Sequence, residues 1–320
     1  MTISHLGIDI AKPKFDVALL AGEKFKTKVF ANTSKGFAAL AQWLERQQVV
    51  RLHACMEATG SYGDALAEFL VDSGHTVSVV NPAQIKAFGR SLLTRNKTDA
   101  IDARLIAQFC ARNQPPAWQP LPLEVRTLQA MVRRLAALQT MRRQEQNRLD
   151  TAHPTLQQPI QKHLDFLSVE IQALKDEIRK HIDQHPDLRG RRELLETIPG
   201  VGEATIANVL AFFIIDRFKN ARQLAAFIGL SPRQHSSGSS VRGRTRISKT
   251  GDASLRAALY MPAVVARTHN PVIRAFCLRL EQAGKAKLAA IVAAMRKLVH
   301  IIFGVLKSGT PFNLHLASNT

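Results

Sequence analysis

The chain has 320 residues, 46% of them hydrophobic, which suits two or three domains with substantial cores and excludes a disordered or fibrous protein. Lysine and arginine outnumber aspartate and glutamate by 44 to 25, giving a formal charge of +19, and the pI of about 10.5 points to a polyphosphate partner. Cys55, Cys110 and Cys277 have neither zinc-site spacing nor a disulfide framework, and there is no leader or uninterrupted apolar run of ~20 residues, so a cytoplasmic protein away from the membrane is expected.

From His5 to Phe30 the pattern predicts a three-stranded meander. Its first strand ends near Ile10, its second runs from Phe15 to Leu20, and its third alternates through Phe25, Thr27 and Val29, with turns at Lys12-Pro13 and Gly22-Glu23. Asn32, Thr33 and Ser34 offer N-caps for a helix whose Phe37, Leu40, Ala41 and Leu44 share one face. A strand from Val49 to Met56 ends at Glu57, and Gly60 begins a helix through Leu66, Phe69 and Leu70. Thr76 to Val80 reads as a buried strand, after which Asn81-Pro82 opens another helix.

This β-β-β-α-β-α-β-α order is the one used by ribonuclease H-like nucleases. There a central strand carries a first acid, the fourth strand ends near a second, and a late helix supplies the rest. Asp9, Glu57, Asp99 and Asp102 take those places, in patterns that predict burial. An acid is costly to bury unless it is paired or binds a metal. Asp99 and Asp102, spaced i and i+3, share a helical face, and converging acids suit two Mg²⁺ ions roughly 4 Å apart in an in-line displacement at phosphorus. The alternative is that Asp99 and Asp102 complete a solvated helix start with Arg95, Lys97 and Arg104.

The proline-rich stretch from Asn113 to Pro122 marks a boundary. A long helix with Leu128, Met131, Leu135, Leu138 and Met141 on one stripe follows, then a polar break from His153-Pro154 to Pro159. A second helix carries Leu164, Leu167, Ile171, Leu174 and Ile178. The alternating three- and four-residue intervals predict a coiled-coil hairpin, a spacer or oligomerisation device. Arg126, Arg133, Arg134, Arg142, Arg143 and Arg148 make its first helix basic, either as a solvated face or as a nucleic-acid contact.

The expected domains are residues 1–118, 119–190 and 191–320. The third is mainly helical and opens on Ile198-Pro199-Gly200-Val201-Gly202, which reads as a helix-hairpin-helix whose Gly200 and Gly202 bring the backbone close to a phosphate, or else as an ordinary tight turn. From Arg233 to Arg256 six Lys/Arg face a single acid, Asp252, among glycines and hydroxyls. Arg233, Arg242, Arg244, Arg246 and Lys249 are the candidate phosphate contacts, although such a loop also suits purely electrostatic affinity. His235 lacks partners for a zinc site, and Tyr260 reads as core alongside Leu255, Leu259, Met261 and Val264.

Taken in order, Gly7-Ile8-Asp9-Ile10-Ala11-Lys12, Glu57-Ala58-Thr59-Gly60, Asn96-Lys97-Thr98-Asp99 with Asp102-Ala103-Arg104, Ile198-Pro199-Gly200-Val201-Gly202 and Ser237-Gly238-Ser239-Ser240-Val241-Arg242-Gly243 resemble the DEDD transposases of the insertion-sequence 110 family, relatives of the Piv invertases. The resemblance implies an N-terminal RuvC-like α/β domain, a coiled-coil hairpin and a C-terminal transposase domain with a catalytic serine. By motif position that serine is Ser237, with Ser236, Ser239 and Ser240 as neighbours, and the Mg²⁺ (or Mn²⁺) ligands are Asp9, Glu57, Asp99 and Asp102.

It further implies recombination between double-stranded donor and target DNA, both specified by a noncoding guide RNA encoded by the element. Acids and serine from different subunits would form a composite site with a 5′-phosphoserine intermediate, in dimers assembling into a tetramer, at the nucleoid of a bacterial cytoplasm. A RuvC-like junction-resolving nuclease using water is the alternative, since it needs the same acids but not the serine.

Overall fold

The computed structural model describes residues 3–22, 24–58, 62–92, 98–233, 236–237, 241–242 and 246–314, with backbone alone at Arg233, Ser236, Ser237, Val241, Arg242 and Arg246. The chain divides into two compact units, Met1–Leu121 and Pro122–Thr320.

The first unit runs β1 (Ser4–Ile10), β2 (Lys14–Ala21), β3 (Lys24–Ala31), α1 (Ser34–Arg46), β4 (Leu52–Glu57), α2 (Asp64–Asp72), β5 (Thr76–Val80), α3 (Pro82–Ser91) and α4 (Asp99–Asn113). The strands form one sheet in the order β3-β2-β1-β4-β5, with the meander antiparallel and β1, β4 and β5 mutually parallel. The helix predicted after β5 is two helices, and Gly60, its predecessor's expected start, lies outside the described residues.

Period-two alternation gives the sheet two covered faces. Leu6 and Ile8, with Phe15, Val17, Leu19, Ala54 and Met56, pack against Phe37, Leu40 and Leu44 of α1 and Leu66 and Leu70 of α2. On the opposite face, Ala18 clusters with Ala103 and Ala107 of α4, and Cys55 with Ile106, Phe109 and Cys110. Three helices start on side-chain caps: Thr33 accepts from the Gly36 amide, Asn81 from Ala83 and Thr98 from Ile101. The proline-rich segment adheres to the edge strand. The Trp118 amide donates to the Val77 carbonyl at 2.6 Å, and the buried Ser78 hydroxyl lies 3.0 and 2.9 Å from the carbonyls of Pro115 and Pro116.

The second unit is helical: α5 (Leu123–Leu149), α6 (Pro154–Gln184), α7 (Pro186–Glu196), α8 (Glu203–Phe212), a 3₁₀ turn (Ile215–Arg217), α9 (Ala221–Phe227), α10 (Ala253–Ala258), α11 (Tyr260–His269), α12 (Pro271–Gln282) and α13 (Lys287–Ser308). Between α9 and α10, β6 (Pro232–Arg233) pairs antiparallel with β9 (Arg246–Ile247), and β7 (Ser236–Ser237) with β8 (Val241–Arg242). α5 and α6 form an antiparallel hairpin. Leu138 meets Leu167 and Ile171 along it, while Leu128, Val132, Ile178 and Ile182 at its base join one core with α8, α11 and α13.

Two expectations fail here. α6 starts at Pro154 and passes through Pro159, so the break between the two long helices falls at residues 150–153 and does not extend to Pro159; proline suits the first helical position, and Pro159 removes one amide bond near the helix start. Tyr260 is 38% exposed, because α10 ends before Leu259 and the apolar phase restarts in α11. α13 is long and apolar enough to cross a membrane by length and composition, but Arg296 and Lys297 interrupt its apolar run mid-helix and half of that stretch is buried within its own unit.

Candidate active site

The acid site is set by strand register. β1 and β2 place Asp9 directly opposite Asp16, and opposite residues in an antiparallel pair project to the same face. Parallel pairing of Ile8 with Met56 makes Asp9 and Glu57 the next residues along neighbouring strands, both at the carboxyl ends. That face is closed by α4, whose first turn carries Asp99 and Asp102 beyond the Thr98 cap.

Close approach of α4 to β1 requires Gly7. A Cβ there would fall 2.0 Å from the Ala103 carbonyl oxygen and 2.3 Å from the Ala107 amide nitrogen. The helix therefore rests on bare backbone two residues before Asp9, and Asp102 immediately precedes the contact residue Ala103.

Asp16, Asp99 and Asp102 lie close enough to Asp9 to act on its charge. Burial pushes the Asp9 carboxyl up, and Asp102, Asp99 and Asp16 push it further, while Lys14 opposes them. Lys14 Nζ lies 3.0 Å from Asp16 and 2.9 Å from Asp99, joining the sheet to the start of α4. Asp99 has a further interaction, as does Glu57. The expected burial holds unevenly: Asp9, Glu57 and Asp102 are half-buried, but the Asp99 side chain is 60% exposed because it occupies the first position of its helix.

Asp16, only 8% exposed, was missed by sequence reasoning, and Lys14 with it. The signal was present in Lys14-Phe15-Asp16-Val17-Ala18: alternation puts Asp16 on the face opposite Phe15, and the short turn after Ile10 fixes it beside Asp9.

As a cation site, the group fits in donor type and charge, since carboxylate oxygens crowded around an Asp9 whose own carboxyl is pushed up are hard ligands awaiting positive charge. As the side chains stand, no three Asp, Glu, His or Cys groups among the described residues converge tightly enough to hold one ion.

The remaining candidates lie in the second unit. Ser237 is in β7, in register with Val241, and Ser236 is in register with Arg242; likewise Arg233 pairs with Arg246. Arg244, His235, Ser239 and Ser240 lie outside the described residues. Lys249 is exposed with left-handed backbone, φ 54°. Gly200, at φ +94°, has a packing reason to be glycine, as a Cβ would come within 2.7 Å of Ala266. Gly202 caps α8 with open space around it, and the first-turn Glu203 is held by Arg179 at 2.7 and 3.0 Å, which pulls the Glu203 carboxyl down.

Comparison with known proteins shows the family. A DEDD transposase family model matches residues 6–158, spanning all four candidate acids, and a model described as transposase, IS116/IS110/IS902 family, matches residues 192–278, spanning Ser237. The pilin gene-inverting protein of Moraxella bovis is 35% identical over 98% of each chain. The chain belongs to the IS110 family of transposases. The pilin gene-inverting protein of Moraxella lacunata is also 35% identical, over 98% of each chain. The transposase for insertion sequence element IS1111A of Coxiella burnetii is 27% identical over 80% of this chain and 76% of its own. Family membership makes the protein an enzyme of DNA rearrangement.

Proposed function

We propose that this IS110-family transposase cuts and exchanges strands of donor and target DNA through a covalent serine intermediate at a site completed by Asp9, Glu57, Asp99 and Asp102. The single observation carrying the acid half of this reading is the set of charges felt by Asp9: three aspartates from β2 and α4 converge on it while Lys14 offsets them. The β3-β2-β1-β4-β5 order, with Asp9 central and Glu57 at the next strand's end, supports a RuvC-like assignment. The paired α5–α6 stripes support the coiled-coil reading.

Asp9, Glu57, Asp99 and Asp102 would hold Mg²⁺, with Mn²⁺ as a substitute; when bound, the cation supplies charge stabilisation at the reacting phosphate. Ser237, from a second copy in a dimer or tetramer, attacks phosphorus through Oγ. A Ser–O–P bond forms, the P–O3′ bond breaks and the 3′ oxygen leaves as a hydroxyl, taking the proton lost by the serine. A 3′ hydroxyl of the exchanged strand then attacks the phosphoserine and releases Ser237, so no phosphodiester is lost. Arg233, Arg242, Arg246 and Lys249, together with Arg244 and the backbone at Gly200 and Gly202, hold flanking phosphates. A noncoding RNA from the element selects both DNAs by base pairing, and the work takes place in the bacterial cytoplasm at the nucleoid.

Denaturing a reaction on suicide DNA and mapping the adduct by mass spectrometry tests the proposal. A phosphopeptide containing modified Ser237 is expected; cleavage without an adduct would establish the water-dependent nuclease instead.

A further inference from the structure

A second cationic group stands in the second unit, away from the motifs considered so far. Arg296, Lys297 and His300 lie within five residues of α13, and Arg222 belongs to the first turn of α9, which packs on α13. Among the described residues, Arg222, Arg296 and Lys297 make no ion pair, whereas Asp216 is engaged by Arg191 and Lys307, and Glu281 by Arg267.

Three observations point to an anion here. His300 Nε2 is buried without a hydrogen-bond partner, and such an atom calls for an explanation. Burial pushes the His300 imidazole down, followed by Arg296, Lys297 and Arg222; among the described residues no acid and no group of α7, α11 or α12 contributes. Lys297 is likewise pushed down, by burial and by Arg279 of α12. Finally, Arg296 Nη1 donates to Ser231 Oγ at 3.4 Å, directing its guanidinium to the residue before β6. Uncompensated cations held together are unfavourable until an anion joins them, and the arginine fork matches phosphate oxygens.

We propose that Arg222, Arg296, Lys297 and His300 form a binding site for a backbone phosphate of the duplex DNA on which Ser237 acts. Six residues of chain link Ser231 to Ser237 and span at most ~20 Å, less than one turn of duplex, so one DNA segment reaches both. The inference rests on the proposed function only in taking Ser237 to act on that DNA, and a binding assay without cleavage separates the two.

The test uses full-length protein in chelator and a fluorescein-labelled duplex, with anisotropy followed across salt concentrations. Each lost phosphate contact reduces the log–log salt slope by ~0.9, so Arg222→Gln/Lys297→Gln, which dismantles this one contact, should lower it by about 0.9 and weaken binding about tenfold near 0.1 M salt. Lys285→Gln/Lys287→Gln, at exposed positions preceding and opening α13, should change the slope by less than half as much. Lys297→Arg, which keeps the charge, should retain it. Wild-type affinity should rise as pH falls below about 6.5, since burial and the neighbouring cations hold the His300 imidazole below its ordinary value, and His300→Gln should flatten that rise. An unchanged slope, an equal loss in the Lys285/Lys287 control, or loss in Lys297→Arg overturns the proposal. A loss confined to an RNA duplex of equal length assigns the site to RNA and overturns it as stated. If Ser237 forms no adduct while these losses persist, the phosphate site stands and only the serine chemistry falls.

Discussion

Gly7→Ala is the sharpest perturbation of the acid site, because it adds one methyl group beneath α4 and changes no ionisable group. The new Cβ would lie 2.0 Å from the Ala103 oxygen and 2.3 Å from the Ala107 nitrogen, both backbone atoms that cannot swing aside. Reaching an ordinary contact of about 3.4 Å requires α4 to retreat by ~1.4 Å or β1 to deform, which places the cost near the upper end of overpacking, about 3 kcal/mol. Asp99 and Asp102 ride on the same helix, so the retreat also opens the acid group, and a displacement of about 1 Å is enough to cost ~10²-fold in rate. Urea unfolding of the full chain, followed by circular dichroism, should show an earlier first transition. Strand cleavage at saturating Mg²⁺ should fall by about two orders of magnitude while duplex binding persists. A Gly7→Ala protein with the wild-type transition and cleavage rate would refute the close β1–α4 approach and the geometry drawn from it.

Asp9→Asn should abolish cleavage yet stabilise the metal-free protein at pH 7. The folded state raises the Asp9 pKa, so as pH climbs past ~4 the unfolded chain ionises first and stability falls until the folded group has ionised too. Thermal melts in chelator should therefore separate variant from wild type at pH 7 and converge below about pH 3, and added Mg²⁺ should raise the wild-type melt alone; a less stable variant at pH 7 contradicts the crowding of acids. Asp102→Asn should likewise bind DNA without cutting it, and excess chelator should silence the wild type in the same cleavage assay. Gly200→Ala should destabilise the second unit by about 3 kcal/mol, from the positive φ and the contact with Ala266, whereas Gly202→Ala should stay within about 1 kcal/mol and weaken duplex binding; equal unfolding midpoints for the two variants would remove the distinction. Rewriting the pairing loops of the element's RNA should redirect recombination to matching DNA, and an undiminished rate for RNase-treated protein at the original target would exclude guidance.

Local pattern sufficed for much of the first unit. Alternation through Leu6, Ile8, Phe15 and Val17 and the caps at Thr33 and Asn81 are short-range, so strands and helices could be placed from neighbours a few residues apart. Asp9 and Glu57 were legible as acids interrupting apolar strands. Asp16 was not, because its partnership with Asp9 exists only once the β1–β2 register is fixed, and neither was Lys14, whose bridge to Asp99 joins residues 85 apart in sequence. The same limit explains Tyr260, where apolar periodicity continued across a helix junction that only packing reveals, and Gly200, whose need for glycine comes from Ala266 on another helix. The cations Arg222, Arg296 and Lys297 are unremarkable in a chain of charge +19. They become a group because α9 packs on α13 and leaves acids elsewhere, an arrangement fixed by long-range burial and invisible to a sequence window.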